Sequence, residues 1–387
     1  MKRKIFKAAE LILFMIYNRI YALFHRIDKD KVLFLSESHG ELDGNLKAVC
    51  DGLDGKYEKR IYVKADRRQR GGFSKIDLWN DLTTAGYIML DDFFGLTSAM
   101  RLRKGQELVQ LWHGAGAFKK FGFSRINTGD NIRNINKGYR KYTKAVVTSE
   151  LARPCFAEAF DIPVDRVQAV GSPRTDMFFD EKRIEEARNR VYTAYPHLKG
   201  KKIILIAPTY RGRKVEDAYY EFERLRLADI SKALGDSYHI ITKWHPALYN
   251  NIKRGICKLP ESLLNAFGDG ITDVSGYGDI NDILTAADIL VTDYSSVIFD
   301  YFLLNKPVIY FIYDREDYSS NRGLYFDFKD YIYGDIASDS DELLKAVKAE
   351  NMHNELRRDF NEKFVKACDG KSTSRVIKWV FEGEYKQ

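Results

Sequence analysis

The feature that most constrains the fold is a recurring unit: a short apolar run, a turn of polar or small residues, then a helical stretch. Ile203–Ala207 is apolar at every position. A run of that kind suits a strand buried on both faces, the place of an inner strand in a parallel sheet. Similar runs fall into two series. The first contains Val32–Ser36, Arg60–Lys64, Tyr87–Leu90, Leu108–Trp112, Ala145–Thr148 and Gln168–Val170. The second contains Ile203–Ala207, Tyr238–Lys243, Ile271–Val274, Ile289–Thr292 and Val308–Ile312. Helical stretches such as Asn45–Leu53 and the polar Asp217–Leu234 separate them. Strands alternating with helices predict an α/β chain built on two parallel, doubly wound sheets. The polar segment Asp180–Lys201 is the expected junction. The expected division is residues 1–28, a first domain over 29–190, and a second over 191–387 that includes closing helices over about 340–364 and 374–381.

A chain of 387 residues is long enough for two domains. With 45% hydrophobic and 30% charged residues it can bury a core, which excludes a disordered chain. The net charge of +7 predicts anionic partners. Nucleic acid is not expected among them, because no basic run with interleaved aromatics occurs beyond the N-terminus. Cys50, Cys155, Cys257 and Cys368 lie far apart, so neither a zinc site nor a disulfide framework is expected.

Residues 1–27 read MKRKIFKAAELILFMIYNRIYALFHRI. The apolar run is shorter than the ~20 residues a spanning helix needs, and no small-residue cleavage site follows it. On a helix, Ile5, Leu11, Ile12, Met15, Ile16, Ile20, Leu23 and Phe24 give a broad apolar face, with Lys2, Arg3, Lys4, Lys7, Arg19 and Arg26 around it. Two readings stand side by side: an interfacial helix on an anionic membrane surface, or a helix packed on its own domain or a second subunit.

Four strand ends carry the chemistry. Thr292–Ser296 (TDYSS) puts Asp293, Ser295 and Ser296 where a strand gives way to a helix, either an anion site or a plain cap. Lys243–Pro246 (KWHP) ends another strand, with Lys243 and His245 suited to phosphate. Leu111–Gly114 ends a third in Trp112-His113-Gly114; His113 suits a general base, and the small residues that follow admit a ligand to the backbone. After Ile203–Ala207 come Thr209, Arg211 and Arg213, with Arg322-Gly323 in a later loop; an arginine fork suits pyrophosphate. Asp279 and Asp282 read as helix caps, and no acidic pair stands where a metal would be held, so no essential metal or other cofactor is expected.

Taken in order, WHG (Trp112–Gly114), GSPRTD (Gly171–Asp176), APTYR (Ala207–Arg211), KWHP, TDYSS and RG (Arg322-Gly323) resemble the CDP-glycerol glycerophosphotransferase family, which includes wall teichoic acid primases and polymerases. The resemblance runs from about Val32 to Phe381. It implies a GT-B fold of two Rossmann-like domains facing a cleft. It also implies a catalytic base at His113 and donor-phosphate contacts at His245, Ser295, Ser296 and Arg322, joined here by Lys243 and Arg211, with Asp293 and Thr209 in support. The donor, a CDP-polyol, would sit in the second half. The acceptor, a polyprenyl-diphosphate-linked chain, would sit in the first, where Gly114, Lys119 and Asn45 are assigned. Glycerol-phosphate is the expected cargo, with ribitol-phosphate the alternative. The loop Gly114–Gly122 (GAGAFKKFG) departs from the family's common GTPLKKIG, which leaves the acceptor and the polyol open. The implied location is the cytoplasmic face of the cell membrane, peripherally bound, with a homo-oligomer allowed. A GT-B glycosyltransferase using a nucleotide sugar and a non-catalytic polyanion scaffold are the rival classes.

Overall fold

The computed structural model describes residues 2–38, 40–64, 75–128, 137–212, 215–314 and 323–383. It divides into two compact units. One comprises Met1–Asp176, Arg322–Tyr325 and Lys363–Gln387; the other comprises Met177–Asn321 and Phe326–Glu362.

In the first unit the strands are β1 (Asp28–Leu35), β2 (Glu58–Tyr62), β3 (Ala85–Leu90), β4 (Glu107–Gln110), β5 (Lys144–Val146) and β6 (Val167–Gln168). They form a parallel sheet in the order β2-β1-β3-β4-β5-β6. The helices are α1 (Lys2–Phe24), α2 (Gly44–Gly52), α3 (Lys75–Thr84) and α4 (Ala152–Phe160). One side of the core joins Val32 and Phe34 of β1, Met89 of β3 and Val109 of β4 to Leu46 and Val49 of α2, and to Val376 and Val380 near the end of the chain. The closing helix Ser372–Ile377 therefore belongs to this unit, not to the second as expected. Asp176 fixes it there: its two carboxylate oxygens accept from the backbone N–H groups of Ser372 and Thr373 at 2.9 and 2.7 Å.

The second sheet contains β7 (Lys202–Ile206), β8 (Tyr238–Thr242), β9 (Ile271–Asp273), β10 (Ile289–Thr292), β11 (Val308–Phe311) and β12 (Asp335–Ala337), in the order β12-β11-β10-β7-β8-β9. Every pairing is parallel. The strand order reverses between β7 and β10, the point where ligands bind in sheets of this kind. Its helices are α5 (Glu181–Ala194), α6 (Leu227–Leu234), α7 (Pro246–Lys253), α8 (Glu261–Ala266), α9 (Ile280–Ala286) and α10 (Val297–Phe302), with two more over Ser340–Ala349 and Asn354–Phe360.

Three expectations are corrected here. The segment Asp180–Lys201 is mostly helix α5, held in the second unit by Arg190, whose guanidinium bonds the carboxylate of Asp282 on α9 at 2.6 and 2.9 Å. The stretch 217–226 holds no α-helix: Tyr219 pairs its backbone with Arg211 in an antiparallel bridge, and only a 3-10 turn, Phe222–Leu225, precedes α6. The helix expected over 340–364 breaks where Glu350 and His353 take left-handed backbone angles, φ of 50° and 48°.

Helix α1 has two different faces. Phe14 and Asn18 are buried. Phe14 and Tyr17 pack on Trp79 of α3, with ring centroids 5.6 and 5.3 Å apart. Asn18 Nδ2 donates to Thr83 Oγ1 at 3.0 Å, and Asn18 Oδ1 accepts from the backbone of Arg101 at 2.9 Å. The other face leaves Phe6, Leu13, Ile16, Ile20 and Leu23 exposed. Among the described residues no helix is long and apolar enough to cross a membrane.

Candidate functional site

In the second unit the sequence motifs gather at the carboxyl ends of β7, β8 and β10. Adjacent parallel strands bring them there. The backbone N–H of Ala207 donates to Val291 O, that of Lys243 donates to Ile206 O, and Thr292 Oγ1 donates to Ala207 O at 2.7 Å. Asp293 is fully buried and knits the loops together. Its carboxylate accepts from the backbone N–H of Thr209 at 2.7 Å and from Arg211 Nη1 at 2.8 Å.

Arg211, expected among the donor-phosphate contacts, is engaged by protein groups. It is buried, bonds both carboxylate oxygens of Asp314 as well as Asp293, and lies among the rings of Tyr220, Tyr294 and Tyr313. Burial works against its charge, but Asp293 and Asp314 outweigh burial and hold its pKa above arginine's ordinary value. Lys243 is engaged likewise. Its ammonium donates to the carbonyls of Ser275 and Tyr277, and burial lowers its pKa. Both cations brace the loops.

The exposed groups at this edge are His245 and Ser296, with Ser295 half-buried. Pro246 opens α7 and His245 caps it: His245 Nδ1 accepts from the backbone N–H of Ala247 at 3.2 Å. With its lone pair engaged at Nδ1, the neutral ring carries its proton on Nε2, as a donor. The ring lies 4.8 Å from that of Tyr210. Ser296 is the N-cap of α10 but makes no capping bond with its side chain, while Ser295 Oγ accepts from the backbone of Val297 at 3.4 Å. Asp279 caps α9, accepting from Asn281 N at 2.8 Å, as its sequence position suggests. Arg213 and Arg322 lie outside the described residues.

In the first unit His113 follows β4 and is exposed. Its ring stacks on Trp112 at 4.5 Å. His113 Nδ1 donates to the carbonyl of Asp91 at 3.3 Å. A carbonyl only accepts, so the proton is fixed on Nδ1 and the lone pair stands on Nε2. This is the reverse of His245. Trp112 itself has φ of 57°, which brings the histidine round. Three bonds hold that turn: Gln110 Oε1 accepts from Trp112 N at 2.8 Å, and Asn45 Nδ2 donates to the carbonyls of Leu111 and Trp112 at 3.1 and 2.8 Å.

Asn45 was expected to face the acceptor; the structure gives it other work. It is buried, and its Oδ1 accepts from Ser172 Oγ and from the backbone N–H of Arg174, both at 2.9 Å. The GSPRTD segment is thereby clamped to the loop of His113. Beyond Gly114, where a side chain would meet nothing within 4 Å, the loop is pinned by Gly116 N donating to Thr148 Oγ1 at 3.0 Å. Lys119 then pairs its backbone with Leu324, and Lys120 N donates to Gly323 O at 2.9 Å. The residues following Arg322 thus join the loop that follows His113. Gln110 and Thr148 were not singled out from the sequence; a polar residue in a strand and a threonine in a loop carry no signal of their own. Among the described residues no group of three His, Cys, Asp or Glu could hold a metal ion.

Two doubly wound parallel sheets with histidines, serines and a buried Arg–Asp pair at their strand ends define a nucleotide- or phosphate-handling α/β protein. The chain belongs to the CDP-glycerol:poly(glycerophosphate) glycerophosphotransferase family, whose pattern matches residues 16–382. It is 38% identical over 355 residues to the teichoic acid poly(ribitol-phosphate) polymerase of Bacillus spizizenii, across 91% of this chain and 56% of that one. It is 34% identical over 385 residues to the teichoic acid ribitol-phosphate polymerase TarK of Staphylococcus aureus, across 97% of this chain and 73% of that one. The chain therefore spans just over half the length of the Bacillus polymerase. The wall teichoic acid polymerase TagF shares the fold, with a TM-score of 0.75 at 20% identity, covering 99% of this chain and 98% of that one.

Proposed function

We propose that the protein transfers a polyol-phosphate from a CDP-polyol to the terminal hydroxyl of a polyprenyl-diphosphate-linked, teichoic-acid-type acceptor, and releases CMP. The observation that supports the reading is the opposite kind of backbone group at Nδ1 of two exposed histidines, a carbonyl for His113 and an N–H for His245. His113 presents a lone pair at Nε2, as a base needs; His245 presents N–H at Nε2, as a phosphate contact needs. In this reading the acceptor hydroxyl gives its proton to His113. Its oxygen attacks the phosphorus that bears the polyol, the bond from that phosphorus to the CMP oxygen breaks, and CMP leaves. His245, Ser295, Ser296 and Arg322 stabilise the charge gathering on the phosphates. Fixed protein groups do this work in place of an essential metal, so turnover should survive chelation; strict Mg²⁺ dependence would refute that part. The domain class of the reading is GT-B, with the acceptor side in the first unit and the donor side in the second.

Ribitol-phosphate in the names of both polymerases above supports CDP-ribitol as a donor on a level with CDP-glycerol. The exposed apolar face of α1 supports peripheral attachment to the cytoplasmic membrane face, since its other face is already satisfied by α3. The test is direct. Purified protein receives CDP-glycerol, CDP-ribitol or a nucleotide sugar with a defined lipid-linked acceptor, and CMP release and product mass are measured. Transfer of sugar without CMP release would put a glycosyltransferase in its place.

A further inference from the structure

We propose that the first unit carries a preformed pocket for the phosphate head group of an anionic membrane phospholipid, separate from the groups assigned to catalysis. This rests on the membrane reading of α1 and goes beyond it by naming a built site. A cavity of about 300 Å³ opens between the last turns of α1 and the segment before β4. Its lining includes Asn18, Arg19, Leu23, Arg101, Arg103 and Lys104 and, among the described residues, no carboxylate. Four cations around one small cavity suit a phosphate. The pocket is held in shape by buried groups. Asn18 is tied to Thr83 and to the backbone of Arg101, and Arg103 Nη1 donates to Thr83 O at 3.3 Å.

Two further observations favour a lipid over a soluble anion. The pocket adjoins the exposed apolar row of α1, with Leu23 belonging to both and Ile20 and Ile16 one and two turns back. A phosphate held by the arginines would leave its acyl chains beside that row, with a basic rim as interfacial helices have. The pocket also lies at the amino end of β4, whereas His113 follows its carboxyl end. A ligand bound there is on the opposite edge of the sheet from the proposed base, so it anchors and orients the unit and does not react.

The experiment uses the full chain and two probes: vesicles of phosphatidylcholine with or without phosphatidylglycerol, and soluble dihexanoyl-phosphatidylglycerol below its micelle concentration. The wild-type chain should pellet with the anionic vesicles and bind the short-chain lipid saturably. Arg19→Gln with Arg101→Gln should abolish saturable binding. Arg26→Gln with Lys29→Gln, charges outside the pocket, should keep it and weaken vesicle binding only by the general electrostatic factor of about fivefold per charge. Vesicle binding without saturable short-chain binding overturns the pocket and leaves the membrane reading intact. No vesicle binding at all overturns both. Inorganic phosphate competing as well as the lipid would show a plain anion site and overturn the lipid assignment. A dimer in solution that Leu13→Ser with Ile16→Ser dissociates would mean a second copy covers α1, and would overturn it too.

Discussion

Asn45 Nδ2 donates to the carbonyl oxygen of Trp112 at 2.8 Å, and so one buried amide sets the residue that precedes His113. Trp112 sits in the left-handed region, which is costly for an aromatic residue and persists only where surrounding contacts demand it. Asn45→Ala should destabilise the protein by about 2–3 kcal/mol, since two carbonyls and two donors lose buried partners. CMP release should fall at least tenfold while the KM for the CDP-polyol holds. Thermal melts beside initial rates would check both, and an unchanged rate would separate this clamp from the chemistry.

His113 is exposed and makes one long hydrogen bond, so it contributes little to stability. His113→Gln should lower turnover by roughly 10²–10⁴-fold, the usual weight of a positioned base, with no change in melting temperature. Retained turnover in the folded variant would remove it from the proton-transfer role.

Arg211 gives the opposite signature. Replacing it with Met leaves the buried Asp293 and the half-buried Asp314 without their cation, a loss of roughly 3–5 kcal/mol. Arg211→Lys should not rescue it, because one ammonium cannot span both carboxylates in the place of a planar fork. Urea denaturation measures this. A stable Arg211→Met protein with only a raised donor KM would return the residue to the phosphate site.

Ser296 caps α10 in sequence position but makes no capping bond with its hydroxyl. Ser296→Ala should therefore leave stability within about 0.5 kcal/mol. Loss of one hydrogen bond to a charged phosphate should raise the donor KM roughly tenfold or more. Saturation kinetics with the CDP-polyol, beside a denaturation curve, tests the pair of statements.

His239, on β8, gives the pH dependence. Burial, then the neighbouring His197 and Lys201, push its pKa down to about 4. The folded state keeps it neutral, while the unfolded chain takes up a proton below its ordinary value of about 6.5. The stability it contributes is thus complete above pH ~6.5 and drains away as the pH falls toward 4, by up to about 3 kcal/mol. Denaturation midpoints at pH 7.5 and 4.5 should converge for His239→Gln if this residue governs the slope. An unaltered pH slope would assign it elsewhere.

Much of the architecture was legible, because parallel strands buried on both faces write themselves as unbroken apolar runs, as in Ile203–Ile206 and Ile289–Val291. β12 was not: Asp335–Ala337 is three residues long at a sheet edge and opens with a charge. At the site, the sequence marked where polar residues cluster but not which way they turn. Arg211 and Lys243 look like phosphate ligands in the one-dimensional string, yet carboxylates and carbonyls far along the chain claim them. Asn45 looked ligand-facing for the same reason; its partners at 111, 112, 172 and 174 meet only on folding. The Nδ1 atoms of His113 and His245 each meet a backbone group, a carbonyl at Asp91 and an N–H at Ala247, which sequence cannot supply.

The return of Val376 and Val380 to the first core has a consequence for biosynthesis. A nascent chain normally completes its leading domain first. Here the leading sheet emerges with part of one face uncovered and stays so until the ribosome has passed residue 380, after every strand of the trailing sheet has been made. The trailing unit, whose last residue is Glu362, has its whole sequence available before the leading unit does. A cut at the 176/177 boundary would not yield a self-sufficient leading fragment, whereas supplying 363–383 in trans would offer its missing wall.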